Sequence, residues 1–300
     1  MQIGKIYSLI LDKINKYFDL LRTYQYIKNL FILAPLFFSG YLTHFIVLEK
    51  TLLSVVYFSL SASGVYIFND LCDVKEDRKH PTKRNRPIAS GSVSIVAAKF
   101  LMVFLILISF IGAIFLSFNF TIILAIYVLL NISYSLWLKH LSIVDIIIIA
   151  IGFVLRILAG GVVAGVYISM WIILVTFLLA LFLAIAKRRD DVLLSQQGKT
   201  TRKNIDGYNL EFVNATMVIM ASVVVVSYTF YTISEEVEKR LKTHNVYLSV
   251  LFVILGILRY MQITLVENNS ASPTKILLKD RFMQIVILLW ISLLGWFIYK

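Results

Sequence analysis

The chain has 300 residues, 59% hydrophobic and 15% charged, with a mean hydropathy of +0.84 and a formal net charge of +12. That balance excludes a soluble globular domain and a disordered chain, and is that of a polytopic membrane protein. The single cysteine, Cys72, excludes an internal disulfide and a thiolate metal cluster.

Residues 1–24 carry mixed charge on a helical apolar period, without a long apolar core and a small-residue cleavage site. They are expected to form an amphipathic lead-in helix rather than a secretory signal. Residues 25–300 are expected to form a single transmembrane catalytic domain. Apolar windows long enough to cross about 30 Å of hydrocarbon occur at roughly 27–48, 51–69, 93–117, 119–138 and 142–164. Four more fall at roughly 169–186, 212–233, 245–266 and 282–299. The expected fold is therefore all-α, with about nine transmembrane helices. Laid on that topology, 23 of the 29 Lys and Arg residues fall on the side of the N-terminus, so this side is expected to be cytoplasmic. The basic charge is thereby accounted for by membrane orientation, and no nucleic-acid partner is expected.

The stretch 66–91, YIFNDLCDVKEDRKHPTKRNRPIASG, sets four carboxylates and a dense basic cluster between two hydrophobic windows. Charges at such a boundary point to a polar substrate. Asn69, Asp73 and Asp77 are four apart, so on a continuing helix they share one face, with Tyr66 near it one turn earlier. A few oxygen ligands beside an open loop suit Mg²⁺, which is usually held by one or two carboxylates together with substrate phosphates. The alternative is a solvated helix end whose acids pair with Lys75, Arg78 and Lys79. The loop that follows places Lys83, Arg84 and Arg86 between two prolines. Arginine forks and a lysine point charge fit phosphate oxygens, so the loop reads as a diphosphate cradle; the positive-inside rule alone would also place bases here.

Three further bases stand out. Arg156 lies within a predicted helix, where an isolated guanidinium costs at least about 2.5 kcal/mol unless paired or facing water. It is expected either to contact phosphate at the floor of a polar cavity or to pair with an acid such as Asp145. Lys28 and Lys139, at helix ends on the same side, are expected either to bind substrate or to snorkel to the interface.

The motif N-D-x-x-D-x-x-x-D at 69–77, followed by H-P-x-K-x-x-R-P-I-A-S-G at 80–91 on about nine helices, resembles the UbiA superfamily of intramembrane prenyltransferases. Within it the chain is most similar to the decaprenyl-phosphate phosphoribosyltransferase branch. Y-Q-Y-I-K-N-L around Lys28, Y-S-L-W-L-K at 134–139, L-R-I-L-A-G-G at 155–161, A-K-R-R-D-D at 186–191, Arg202 and Lys203 with Tyr208, and S-P-T-K-I-L-L-K-D-R at 272–281 extend the likeness almost end to end. The wider superfamily carries a second D-x-x-x-D motif after the sixth helix; here K-R-R-D-D stands in its place, which favours direct cationic contacts over a second metal.

The resemblance implies a polar cavity facing the cytoplasm in the inner (plasma) membrane, and Mg²⁺-dependent transfer of 5-phosphoribosyl from phosphoribosyl diphosphate to a polyprenyl phosphate. Asn69, Asp73 and Asp77 are expected to hold the metal, with Lys83 and Arg86 acting on the diphosphate. Lys28, Tyr66, Arg84, Lys139, Arg156, Lys187, Arg188, Arg202 and Tyr208 are expected to bind substrate. Transfer of a prenyl group from a prenyl diphosphate to an aromatic or other acceptor is the first alternative, and a non-catalytic membrane transporter the second. Lipid length and oligomeric state, homo-oligomers included, stay open.

Overall fold

The computed structural model describes residues 15–80, 82–198, 203–268 and 272–300. Residues 1–14 of the expected lead-in helix lie outside these, as does Arg202; residues 15–21 are helical. The remainder comprises α1 (Ala34–Phe38), α2 (Phe45–Cys72), α3 (Val74–Lys79), α4 (Ile95–Leu116), α5 (Phe118–Leu136) and α6 (Val144–Ala164). It continues with α7 (Met170–Gln196), α8 (Leu210–Thr232), α9 (Glu235–Leu241), α10 (Val250–Leu265), α11 (Pro273–Lys279) and α12 (Arg281–Tyr299). Among the described residues there is no strand.

Among the described residues eight helices are long and apolar enough to cross a membrane: α2, α4, α5, α6, α7, α8, α12, and α10 with the turn before it (Asn245–Leu265). Their starts are set by capping side chains. Ser94 accepts from the Ala97 amide, Ser117 from Phe120, Asn209 from Phe212 and Asp280 from Met283, each satisfying a donor that the first helical turn leaves unpaired.

The first expected span, 27–48, is not one α-helix. It is a 3₁₀ segment, Thr23–Leu33, continued by α1, a left-handed Gly40 (φ 80°) and the start of α2. Pro35 lacks the amide that an extended helix would need there. Asn29, Ile32 and Pro35, three apart, are buried, the spacing of a helix with three residues per turn. Eleven residues at about 2.0 Å and five at about 1.5 Å rise together reach about 30 Å, enough for a ninth crossing. A second difference lies at α7, which runs ten residues beyond its expected end at 186, so K-R-R-D-D is helical rather than looped.

The two central helices are α2 and α6, with 56% and 61% of their apolar windows buried against 17–33% for the other six. Both bury charged side chains, Asp70 on α2 and Asp145 and Arg156 on α6. Small residues admit close neighbours: Gly64 faces Ile106 on α4, and Gly112 faces Tyr57. The tightest approach is at Gly160 on α6, where an added Cβ would stand 1.8 Å from the Ile32 carbonyl oxygen of the 3₁₀ segment. Gly160→Ala is therefore expected to push that segment away and destabilise the protein by about 1–3 kcal/mol. Gly256→Ala, whose methyl would meet only Val286 at 3.9 Å, should be neutral or stabilising; thermal unfolding of the two purified variants checks the contrast.

Candidate active site

The site forms where α2 ends. The helix stops at Cys72, Asp73 adopts φ −93° and ψ 3°, and α3 starts at Val74, while the Asp73→Asn69 and Asp77→Asp73 backbone hydrogen bonds persist. Asn69 and Asp73 meet as their four-residue spacing requires: Asn69 Nδ2 donates to Asp73 Oδ2 at 3.2 Å, and Ser135 of α5 donates to Asn69 Oδ1 at 3.2 Å. The other Asp73 oxygen pairs with Lys139, from the short turn after α5. Lys139 thus reaches inward to Asp73 instead of snorkelling to the interface.

Asp77 departs from the expected set. It is 3% exposed, and its Oδ2 lies 2.7 Å from Arg86 Nη1, which also binds Asp70 Oδ1 at 3.0 Å. Asp70 is in turn paired with Arg22, whose guanidinium lies over the Tyr66 ring, 5.4 Å from its centroid. Arg22–Asp70–Arg86–Asp77 is a continuous ionic chain that the spacing argument missed. The partners come from outside the helix that argument read: Arg86 lies nine residues from Asp77, and Arg22 lies 48 residues from Asp70. Among the described residues no group of three or more His, Cys, Asp and Glu side chains could hold a metal ion. Of the expected Asn69, Asp73 and Asp77, the structure brings Asn69 and Asp73 into contact and pairs Asp77 with Arg86. One carboxylate and one amide oxygen still fit Mg²⁺, whose remaining positions are ordinarily filled by water and substrate phosphates.

The basic loop is built rather than loose. Ile88 and Ala89 are buried, with Ile88 in a core that includes Leu20, Ile67, Val74 and Val93. Arg78 Nε donates to the Ala89 carbonyl at 3.2 Å, and Gly91 turns the chain at φ 77°. His80 Nδ1 lies 3.3 Å from the Thr82 and Lys83 amides, from which it accepts. Burial, with the Lys83 and Arg86 charges, holds His80 below the ordinary imidazole range and so keeps it an acceptor. Arg84 is exposed and Lys83 half-buried.

On the facing side, Arg188, expected to bind substrate, is turned inward. It is 1% exposed; its Nη1 donates to Asp191 Oδ2 at 2.6 Å. Its Nε lies 2.7 Å from Asp145 Oδ2 without a linear hydrogen bond, an ion pair only. It is an internal charge matched by two carboxylates, not a group open to substrate. Arg189 is also turned inward, onto Asn214, Asn268 and the Thr264 carbonyl, tying α7 to α8 and α10. Lys187 is the base of this run left partly exposed. Tyr208, expected to bind substrate, donates to Asp145 Oδ1 at 2.6 Å and accepts from the Ile143 amide at 2.7 Å.

Arg156 is not paired with Asp145 or another acid. At 4% exposure it donates to Asn29 Oδ1 (2.8 Å), the Gly152 carbonyl (2.7 Å) and Tyr127 Oη (3.2 Å). The rings of Phe58, Tyr127 and Phe153 surround its guanidinium at 5.0–5.4 Å. Cation–π attraction and neutral acceptors replace the missing carboxylate. Its link to Asn29, which donates to Ser59, and the Tyr26–Ser63 hydrogen bond fix the 3₁₀ segment carrying Lys28 against α2 and α6. Gly160, one turn from Arg156, lets that segment sit so close.

Residues 30–196 match the model of the UbiA prenyltransferase family. A decaprenyl-phosphate phosphoribosyltransferase from Mycolicibacterium smegmatis is 34% identical over 289 residues, 93% of this chain and 91% of that protein. One from Corynebacterium glutamicum is 32% identical over 90% of this chain and 83% of its own length. A UbiA homologue from Archaeoglobus fulgidus, solved with GPP and Mg²⁺ bound, superposes with a TM-score of 0.70 at 19% identity, over 95% of this chain and 99% of that one. Fold and relatives define a multi-pass membrane transferase. The chain belongs to the UbiA prenyltransferase family.

Proposed function

We propose that the protein transfers 5-phosphoribosyl from phosphoribosyl diphosphate to a polyprenyl phosphate, releasing diphosphate, with the reaction on the cytoplasmic side of the inner membrane. The observation that carries this reading is the near full-length similarity to two phosphoribosyltransferases of polyprenyl phosphate. The basic character of the site supports it. Lys83, Arg84, Arg86, Lys139 and Lys187 lie on elements adjoining the Asn69–Asp73 pair or on α7, and two phosphate-bearing substrates need such charge.

Asn69 and Asp73 would hold Mg²⁺, which would neutralise diphosphate oxygens and favour departure of diphosphate from C1 of the ribose. Lys139 is held at the site by Asp73, poised to pass to a phosphate oxygen. Arg86, fixed by Asp70 and Asp77, brings its charge to the same edge with little reorganisation. The acceptor phosphate is already an anion at neutral pH, so its oxygen attacks C1 without a general base; the C1–diphosphate bond breaks and a C1–O–phosphate bond forms. A groove of about 460 Å³ between the 3₁₀ segment and α2, lined by Tyr26, Leu30, Val56 and Leu60 among others, suits the apolar tail of a lipid entering from the side.

Membranes containing the protein, given phosphoribosyl diphosphate labelled in the ribose and a polyprenyl phosphate, should move label into lipid, and chelation of Mg²⁺ should stop it. Label remaining in water, with transfer from a prenyl diphosphate to a phenolic acceptor instead, would replace this reading with the prenyltransferase one.

A further inference from the structure

Ile143 has φ 70° and ψ −49°. Four non-glycine residues with positive φ occur among the described residues, Arg22, Ile143, Lys242 and Asn268, and only Ile143 is β-branched. Its angles lie outside the left-handed helical well and near the classic γ-turn, a rare and strained conformation. Strain of this kind persists only where the surroundings over-determine it.

The surroundings here are specific. The Ile143 amide donates to Tyr208 Oη, that hydroxyl donates to Asp145, and Asp145 is held by Arg188. Tyr208 is 7% exposed and Asp145 fully buried. The next contact of the same two loops is equally close: a Cβ on Gly207 would stand 2.0 Å from Ser142 Oγ. Burial, reinforced by the Asp145 hydrogen bond, pushes the Tyr208 phenol up, so it remains protonated and can donate and accept at once. On the other side of the strained residue, four positions earlier, stands Lys139 on Asp73.

We infer that Tyr208 is a positioning residue: its hydroxyl holds the strained Ile143 backbone, and through it the turn at residues 138–143 that presents Lys139 to Asp73. The inference rests on the proposed function in taking Asp73 and Lys139 as parts of the reacting site. It explains why a tyrosine at 208, beyond the second helical run of charges, belongs to the site without being open to substrate.

The test uses the purified full-length protein, with hydrogen exchange of peptides covering 138–143 measured beside steady-state kinetics. Tyr208→Phe should raise exchange in that turn and lower kcat by about 10-fold or more, the scale of one hydrogen bond to a charged network, with KM for phosphoribosyl diphosphate changed by less than about 3-fold. Glycine adopts positive φ without strain, so adding Ile143→Gly to Tyr208→Phe should return both exchange and kcat to within about 3-fold of the parent. Unchanged exchange in Tyr208→Phe would overturn the inference, as would a double variant no better than Tyr208→Phe. If the parent transfers no phosphoribosyl group while exchange responds and is rescued as stated, the clamp is supported and the donor assignment falls.

Discussion

Asp73→Ala is expected to lower transfer by about 10²-fold or more, the scale seen when one preorganised electrostatic group is removed from a reacting site, while leaving the unfolding temperature nearly unchanged. Asp73 is 26% exposed at its side chain and meets Asn69 and Lys139; its loss strands no fully buried charge. Asp77→Ala provides the contrast. Asp77 is buried and anchors Arg86, so its removal should lower stability together with activity. Measuring kcat and thermal unfolding for both variants separates the roles. An active Asp73→Ala enzyme would remove Asp73 from the chemistry.

Arg188→Met is expected to destabilise the protein by about 3–5 kcal/mol, because it leaves Asp145 and Asp191 without the cation between them. Asp145 has no exposure at all, so it cannot recover solvation by moving outward. Adding Asp145→Asn to Arg188→Met should restore part of the loss, since a neutral amide is cheaper to bury than an unpaired carboxylate. Thermal or denaturant unfolding in detergent reads both. An Arg188→Met protein as stable as its parent would contradict the buried-pair assignment and return Arg188 to the list of substrate contacts.

These two residues show what sequence alone could reveal. Hydropathy located the eight long helices because the bilayer demands length and apolarity from each segment by itself. It misjudged the first crossing, where a 3₁₀ segment replaces an α-helix around Pro35 and depends on Gly160, more than 120 residues away. The Asn69–Asp73 contact was legible because helical spacing fixes it locally. The pairing of Asp77 was not, because Arg86 reaches it from the loop beyond the helix. The partners of Arg22 and Lys139, with Asn29 and Tyr127 at Arg156 and Asp145 at Arg188, come from other elements. The ring about Arg156 was not legible because Phe58 and Tyr127 come from other helices, whereas one partner of Arg188, Asp191, lies a single turn away in the same charged run.

Family membership accounts for the fold and the transferase class, and the donor is the part of the proposed function that a labelling experiment reads directly. Phosphoribosyl diphosphate labelled separately in its 5-phosphate and in its diphosphate distinguishes the routes in one measurement with polyprenyl phosphate and membranes containing this protein. The account predicts that the 5-phosphate label appears in the lipid and the diphosphate label appears in water in equal amount. Diphosphate label in the lipid, or neither label there while a prenyl diphosphate serves as donor, would contradict it.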